Sequence, residues 1–400
     1  MTYDFIIVGA GIVGLSTAYK LTESYPDINI LVLEKEQQVA AHQTGNNSGV
    51  IHSGIYYKPN SYRAKNCVEG RRQLVDFCRE NGVAHEVCGK VIVATEEEDI
   101  PRLNDIFETG QINGIEGIKK IDPQEVTEIE PYVNSVKGIH VPCSGIVDYT
   151  AVCIKLRELI EAKGNTILFD QKVEKIDQIS NGLQVQTSKD SFASSYLINC
   201  AGLYSDRIAQ SAGLQPSLQI VPFRGEYFAL KPEAQHFVNG LIYPMPNPAF
   251  PFLGVHFTKM ATGGIECGPN AVFAFKREGY KKISFDLEET IETFNFPGFL
   301  ELAKEHWKMG LAEWYRSFSK RAFVKDLQKL IPSIQPQHLE KAPAGVRAMA
   351  LSPEGDILED FQFEATENEI HVLNAPSPAA TAGLAIGDEI VARARKNFGL

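Results

Sequence analysis

Apolar residues near the start of the chain come first as a block and then at helical spacing. In "YDFIIVGAGIVGLSTAYKL", residues 3–21, the short β-branched run at 5–8 predicts a strand, and the apolar positions recurring three and four apart after Gly14 predict a helix. A second run, "INILVLEKE", predicts another strand. Further on, "YTAVCIKLRELIEAK" at 149–163 reads as an amphipathic helix, with Gly164 as its C-cap and the strand "TILF" after it. "KVEKIDQISNGLQVQTS" alternates like a hairpin turning at Asn181-Gly182, and "SSYLINCAGLYSDRIAQSAG" is a strand running into a helix. Near the end come "GDILEDF", the strand "IHVLNA", and "SPAATAGLAIGDEIVARA", a helix opened by small residues. These distant fragments fit one parallel sheet.

Around 85–140 and 216–345 the texture changes. Short strands ("GKVIVAT", "EYFAL", "FLGVHFT") sit among Pro-rich turns ("YPMPNPAFP"), and two long helical stretches lie near 286–330. The expected organisation is a discontinuous α/β Rossmann-like domain, residues 1–85, 141–215 and 346–400, interleaved with an α+β mixed-sheet domain, residues 86–140 and 216–345.

Gly9, Gly11 and Gly14 stand in G-x-G-x-x-G spacing between the first strand and its helix. The first glycine allows the tight turn, the second lets a pyrophosphate approach the backbone, and the third lets helix and strand pack closely. Glu34 ends the second strand, twenty positions after Gly14, where an acid accepts hydrogen bonds from a ribose. From the residues alone this is a dinucleotide-binding enzyme.

Composition narrows the class. A chain of 400 residues with 44% hydrophobic positions can bury two cores. No apolar run approaches the roughly 20 residues that span a bilayer, and the N-terminus carries a nucleotide fingerprint where a signal peptide needs a basic region, so a cytoplasmic protein is expected. Seven scattered cysteines without C-x-x-C argue against a disulfide framework and a metal site. A net charge of −11 disfavours nucleic acid. Residues 299–330 invert that balance, with seven Lys/Arg against four Asp/Glu, and carry Phe299, Trp307, Trp314, Tyr315, Phe318 and Phe323. Two readings stay open: ordinary aromatic packing, or peripheral contact with the inner face of a membrane.

The blocks "VGAGIVG", "GNNSGVIHSGIYYKP", "GIVDY", "NCAGLYSDRIA", "VPFRGEYF", "FPFLGVHFT", "GPNAVFAFKREGY", "PAGVRA" and "NAPSPAATAGLAIG" together resemble the L-2-hydroxyglutarate dehydrogenase/oxidase family, a branch of the D-amino-acid-oxidase-like flavoproteins. The likeness spans nearly the whole chain; "KMATGGIECGPN" does not map clearly onto it. It implies FAD in place of NAD, and oxidation of L-2-hydroxyglutarate to 2-oxoglutarate by hydride transfer from C2 to the flavin, with a quinone or oxygen as the final acceptor. Other substrates on the same scaffold, an amino acid or glycerol 3-phosphate, and a non-catalytic nucleotide-binding scaffold are the alternatives.

The cofactor set implied by this resemblance is Gly9, Gly11, Gly14, Glu34, Lys35, Thr44, Ser48, Gly49, Val173, Ala201, Gly202, Ser377, Ala379, Ala380 and Thr381. The small residues after the Glu34 strand suit close backbone approach to a ring. Val173 is either an adenine neighbour or plain core, and residues 377–381 are expected to open the last helix toward the flavin pyrimidine edge. His52 or His256 is the candidate base, a neutral imidazole with an unperturbed pKa near 6.5. Arg347 is the candidate clamp for the substrate carboxylate. Arg224 either holds a second carboxylate or pairs with Glu226.

Overall fold

The computed structural model describes residues 2–246 and 254–400. The end of the Pro-rich turn and the first two residues of the strand expected at 252–258 lie outside the described residues. Thr2–Val8 runs parallel to Ile30–Leu33 on one side and to Ser191–Asn199 on the other, in register from Phe5↔Ile30 to Val8↔Leu33 and from Thr2↔Ala193 to Val8↔Asn199. Neighbours on both edges and cover on both faces explain the unbroken apolar block: Ile6 and Ile7 are fully buried. Thr166–Leu168 continues the sheet beyond Ile30–Leu33. The other edge of Ser191–Asn199 is shared between the hairpin strand Gly182–Thr187 and, at its last three residues, Glu369–Asn374.

Helices Ile12–Ser24, Tyr149–Ala162 and Gly383–Phe398 cover one face of this sheet with a common core. The first and last meet through glycine: a Cβ at Gly387 would lie 2.8 Å from the Ser16 carbonyl oxygen. The last helix starts six residues later than its expected opening at 377. Pro376 and Pro378 push the residues before them out of the helical region, and residues 377–382 form turns, with the Ala382 N–H donating to the Pro378 carbonyl (3.0 Å).

A second sheet has the order Leu339–Lys341, Phe228–Leu230, Ile265–Gly268, His256–Lys259, Leu241–Pro244, Lys90–Ala94, Lys137–Val141, Lys119–Ile121. One of its faces packs on helix Lys320–Leu330 through Phe323, Val324 and Leu327. A three-stranded ribbon, with Gln219–Gly225 between Val272–Phe273 and Gly345–Leu351, sets Phe223 opposite Arg347. "GNNSGVIHSGIYY" contributes only the two-residue strand Val50–Ile51, flanked by Gly49 (φ +63°) and Gly54 (φ +90°) in backbone conformations that favour glycine.

The region near 286–330 forms three helices rather than two: Leu287–Asn295, Pro297–Phe318, which departs from helical dihedrals at His306, and Lys320–Leu330, capped by the Ser319 side chain. Its aromatics divide. Phe299 and Phe323 are buried, whereas Trp307, Tyr315 and Phe318 are more than half exposed. Among the described residues no helix is long and apolar enough to cross a membrane.

Candidate active site

A cleft of about 1820 Å³ runs from the C-terminal ends of the parallel strands to the ribbon and the second sheet. Its nucleotide end is built by glycine geometry. A Cβ at Gly9 (φ +105°) would lie 2.6 Å from the Cys200 carbonyl oxygen, and one at Gly14 only 2.0 Å from the Gly9 carbonyl oxygen. Gly14 therefore seats the helix on the strand without lining the cleft, while Gly9 and Gly11 line it. The Ile12 N–H donates to Thr44 Oγ1 (3.1 Å); the N–H groups of Gly11 and Val13 have no acceptor among the described residues, so this helix start is free to receive a phosphate.

Glu34 is held at the strand end by two backbone donors. Its Oε2 accepts from Ala10 N (2.8 Å) and its Oε1 from Glu36 N (3.0 Å); each oxygen keeps a lone pair for a ribose hydroxyl. Lys35, also lining the cleft, is paired with Glu36 and Glu278 beside His42. Val173 is buried and lines the cleft as well, so it serves both core and site. Ser48, Ala201 and Gly202 face the same space, as do Ser377, Ala379, Ala380 and Thr381. The N–H groups of Ala380 and Thr381 have no acceptor among the described residues. These free donors, the acid and the open glycine cradle fit FAD. Gly49 faces a smaller neighbouring cavity instead.

Thr381 also ties the site together. Its hydroxyl hydrogen-bonds Tyr149 (2.9 Å), both hydroxyls reach the Val50 carbonyl oxygen, and His52 N donates to Thr381 Oγ1 (3.1 Å). This buried cluster fixes the backbone that carries His52.

At the far end His52, His256 and Arg347 all line the cleft, with Tyr56, Tyr57, Tyr227 and Tyr243 around them. His256 alternates as its strand requires: Phe257 enters the core behind the sheet, and His256 faces the cleft, stacked on Tyr243 with ring centroids 4.1 Å apart. Burial pushes His52 down to about 3, with the Lys90 charge the next cause, and pushes His256 down to about 4, against the pull of its bond to Gly254. The neutral His256 ring pairs through Nδ1 with the Gly254 carbonyl oxygen (2.9 Å), which leaves Nε2 as the acceptor. Burial pushes the Tyr227 hydroxyl up, and the nearby Arg347 charge opposes that push.

Arg224 does not join them. Of the two roles open to it from sequence, the structure realises the second: fully buried, it pairs with Glu226 Oε1 through Nε (3.1 Å) and Nη2 (2.9 Å), and its Nη1 points to the carbonyls of Gly279 and Lys281. Sequence reasoning missed Arg63, which stacks on Tyr57 (4.3 Å) and donates to the Ser377 carbonyl (2.6 Å), and the tyrosine wall. Tyr56 and Tyr57 stood within the stretch already singled out; nothing local marked Tyr227 or Tyr243.

Over nearly its whole length the chain is similar to known proteins. The family model described as FAD dependent oxidoreductase matches residues 4–393. The chain is 50% identical over 399 residues to the L-2-hydroxyglutarate dehydrogenase of Indibacter alkaliphilus, covering 100% of both chains. It is 43% identical over 416 residues to the mitochondrial L-2-hydroxyglutarate dehydrogenase of Homo sapiens, covering 100% of this chain and 90% of that one. Among solved structures, the FAD-bound, dithionite-reduced L-α-glycerophosphate oxidase of Mycoplasma pneumoniae shares the fold with a TM-score of 0.80 at 24% identity, over 98% of this chain and 94% of that one. With the cradle for a flavin dinucleotide at one end of the cleft and a family match over almost its whole length, the chain belongs to the FAD dependent oxidoreductase family.

Proposed function

We propose that this protein oxidises L-2-hydroxyglutarate to 2-oxoglutarate. The observation that carries the reading is the convergence of two neutral histidines and an arginine at the end of the cleft remote from the ribose-binding acid, in a chain half identical to a protein named for that activity. FAD held at the glycine cradle and Glu34 would supply the hydride acceptor, with a quinone or oxygen as the final electron acceptor. Arg347 holds the carboxylate beside C2 through its fork of donors, and the tyrosine wall limits water around the reacting carbon. One histidine, His52 or Nε2 of His256, takes the hydroxyl proton. In the same reading residues 1–85, 141–215 and 346–400 form the FAD-binding domain, and 86–140 and 216–345 the substrate-binding domain.

Anaerobic addition of L-2-hydroxyglutarate to the yellow protein should bleach the flavin, and the D-enantiomer, amino acids and glycerol 3-phosphate should not. Faster bleaching by an amino acid or glycerol 3-phosphate would assign a different substrate.

A second reading concerns location: peripheral attachment to a membrane through residues 299–330. It is supported by the exposed side chains Leu300, Trp307, Leu311, Tyr315 and Phe318 along that stretch, together with its local excess of basic residues, seven Lys/Arg against four Asp/Glu.

A further inference from the structure

The substrate proposed above has two carboxylates, and Arg347 accounts for one. Lys90, the first residue of Lys90–Ala94, is 2% exposed, and no Asp or Glu among the described residues pairs with it. Its ammonium lies over the ring of Tyr56 (5.0 Å to the centroid) and the ring of Tyr243 (4.7 Å), and both rings line the cleft. Taking an ammonium out of water without a counter-ion is expensive, and two ring faces return only part of that cost. The Tyr56 hydroxyl beside it is buried and has no hydrogen-bond partner among the described residues.

We propose that Lys90 is the specificity-determining residue that answers the distal carboxylate of the substrate, with the Tyr56 hydroxyl as a donor to the same group. This rests on the reading of the substrate as a hydroxy diacid. Two features support the placement. The Lys90 ammonium packs directly behind Tyr56 and Tyr243, two rings that line the cleft together with His52, His256 and Arg347. A 2-hydroxy diacid with C2 at the histidines carries one carboxylate on either side of the reacting carbon and so calls for a second cation besides Arg347. Burial brings the Lys90 ammonium down to about 8, still above neutral pH.

The test compares L-2-hydroxyglutarate with L-2-hydroxyvalerate, which has the same five carbons without the second carboxylate, on flavin-loaded parent, Lys90→Gln, Lys90→Arg and Tyr56→Phe proteins. The parent should strongly favour the diacid in kcat/KM. Lys90→Gln should cut that preference at least about 30-fold, in the range for removing one charge of a desolvated pair, mostly through KM. Lys90→Arg should keep most of the preference, and Tyr56→Phe should lose part of it by deleting one hydroxyl. Should Lys90→Gln fail to load flavin, Tyr56→Phe and Lys90→Arg still decide the matter: an undiminished preference in Tyr56→Phe with a collapsed one in Lys90→Arg overturns the assignment. So does an equal fall on both substrates in Lys90→Gln, which would mark Lys90 as structural. If no hydroxy diacid bleaches the parent, the substrate reading itself fails; if the parent is diacid-specific and Lys90→Gln keeps its preference, only the role of Lys90 is lost.

Discussion

The proton inventory of the cleft sets its chemistry residue by residue. His52 and His256 are held down to about 3 and about 4 by burial, so both stay neutral and able to accept a proton well below the usual imidazole range. The acid limb of kcat/KM should therefore lie below about pH 5 and not near 6.5. The stability consequence has the opposite flavour: an unfolded imidazole gains its proton near 6.5 and the folded ones do not, so stability should fall as the pH drops from about 6.5 toward 4. Stopped-flow flavin reduction separates the two histidines. Replacing the true base with alanine should slow it roughly 100- to 10,000-fold, and a small, equal loss in both variants would mean neither takes the proton. For Arg347→Ala, flavin content should survive while substrate binding weakens by about 2–5 kcal/mol; unchanged kcat/KM would remove Arg347 from the site. The histidines and Arg347 were readable because they stand in idiosyncratic blocks. Lys90 was not, because a lysine opening "GKVIVAT" looks like a strand emerging from solvent, and only the long-range packing of Tyr56 and Tyr243 encloses it.

At the level of elements, local pattern carried the nucleotide-side sheet almost whole. The strand at 2–8, the helix after it and the helix Tyr149–Ala162 lie where periodicity puts them, and the hairpin forms with its turn one residue earlier than expected, at Ser180-Asn181, because Gly182 already pairs with Ile179. What failed depends on partners far along the chain. Nothing local says that Lys90–Ala94 runs parallel to Leu241–Pro244; the late start of the last helix has a local cause instead, the prolines at 376 and 378. Glycine gives a sharp test at this scale. A methyl at Gly14 would meet the Gly9 carbonyl oxygen at 2.0 Å, backbone that cannot move without opening the cradle. Gly14→Ala should cost at least the about 3 kcal/mol at the top of the overpacking range and release the flavin. Gly310, mid-helix in Pro297–Phe318 with nothing within 4 Å of an added Cβ, is the contrast: Gly310→Ala should raise stability by about 0.5–1 kcal/mol. Thermal melts and the flavin absorbance of the purified variants check both.

The whole molecule is acidic, with a net charge of −11, yet one region pairs a basic excess with an apolar surface. Isolated exposed apolar side chains are ordinary, whereas a contiguous patch would mark a contact surface. If that surface meets lipid, the protein should sediment with anionic liposomes at low salt, less so at high salt, where charges are screened within about 10 Å or less. Trp307→Glu and Phe318→Glu should abolish the effect without changing flavin content. A parent protein that stays in the supernatant at low salt would return these helices to ordinary packing.

The cleft is closed by segments that lie far apart in the sequence. Gly9 and Gly11 come from its first strand and turn, whereas Thr381, whose hydroxyl fixes the His52 backbone, and the helix packed on Ile12–Ser24 through Gly387 come last. During translation, then, the glycine cradle emerges long before the residues of its opposite wall. Flavin capture is therefore a late event: nascent chains stalled before residue 369 should leave the ribosome colourless however much FAD is supplied, and riboflavin-starved cells should accumulate polypeptide in which the segment from residue 369 onward is unsecured and open to proteases.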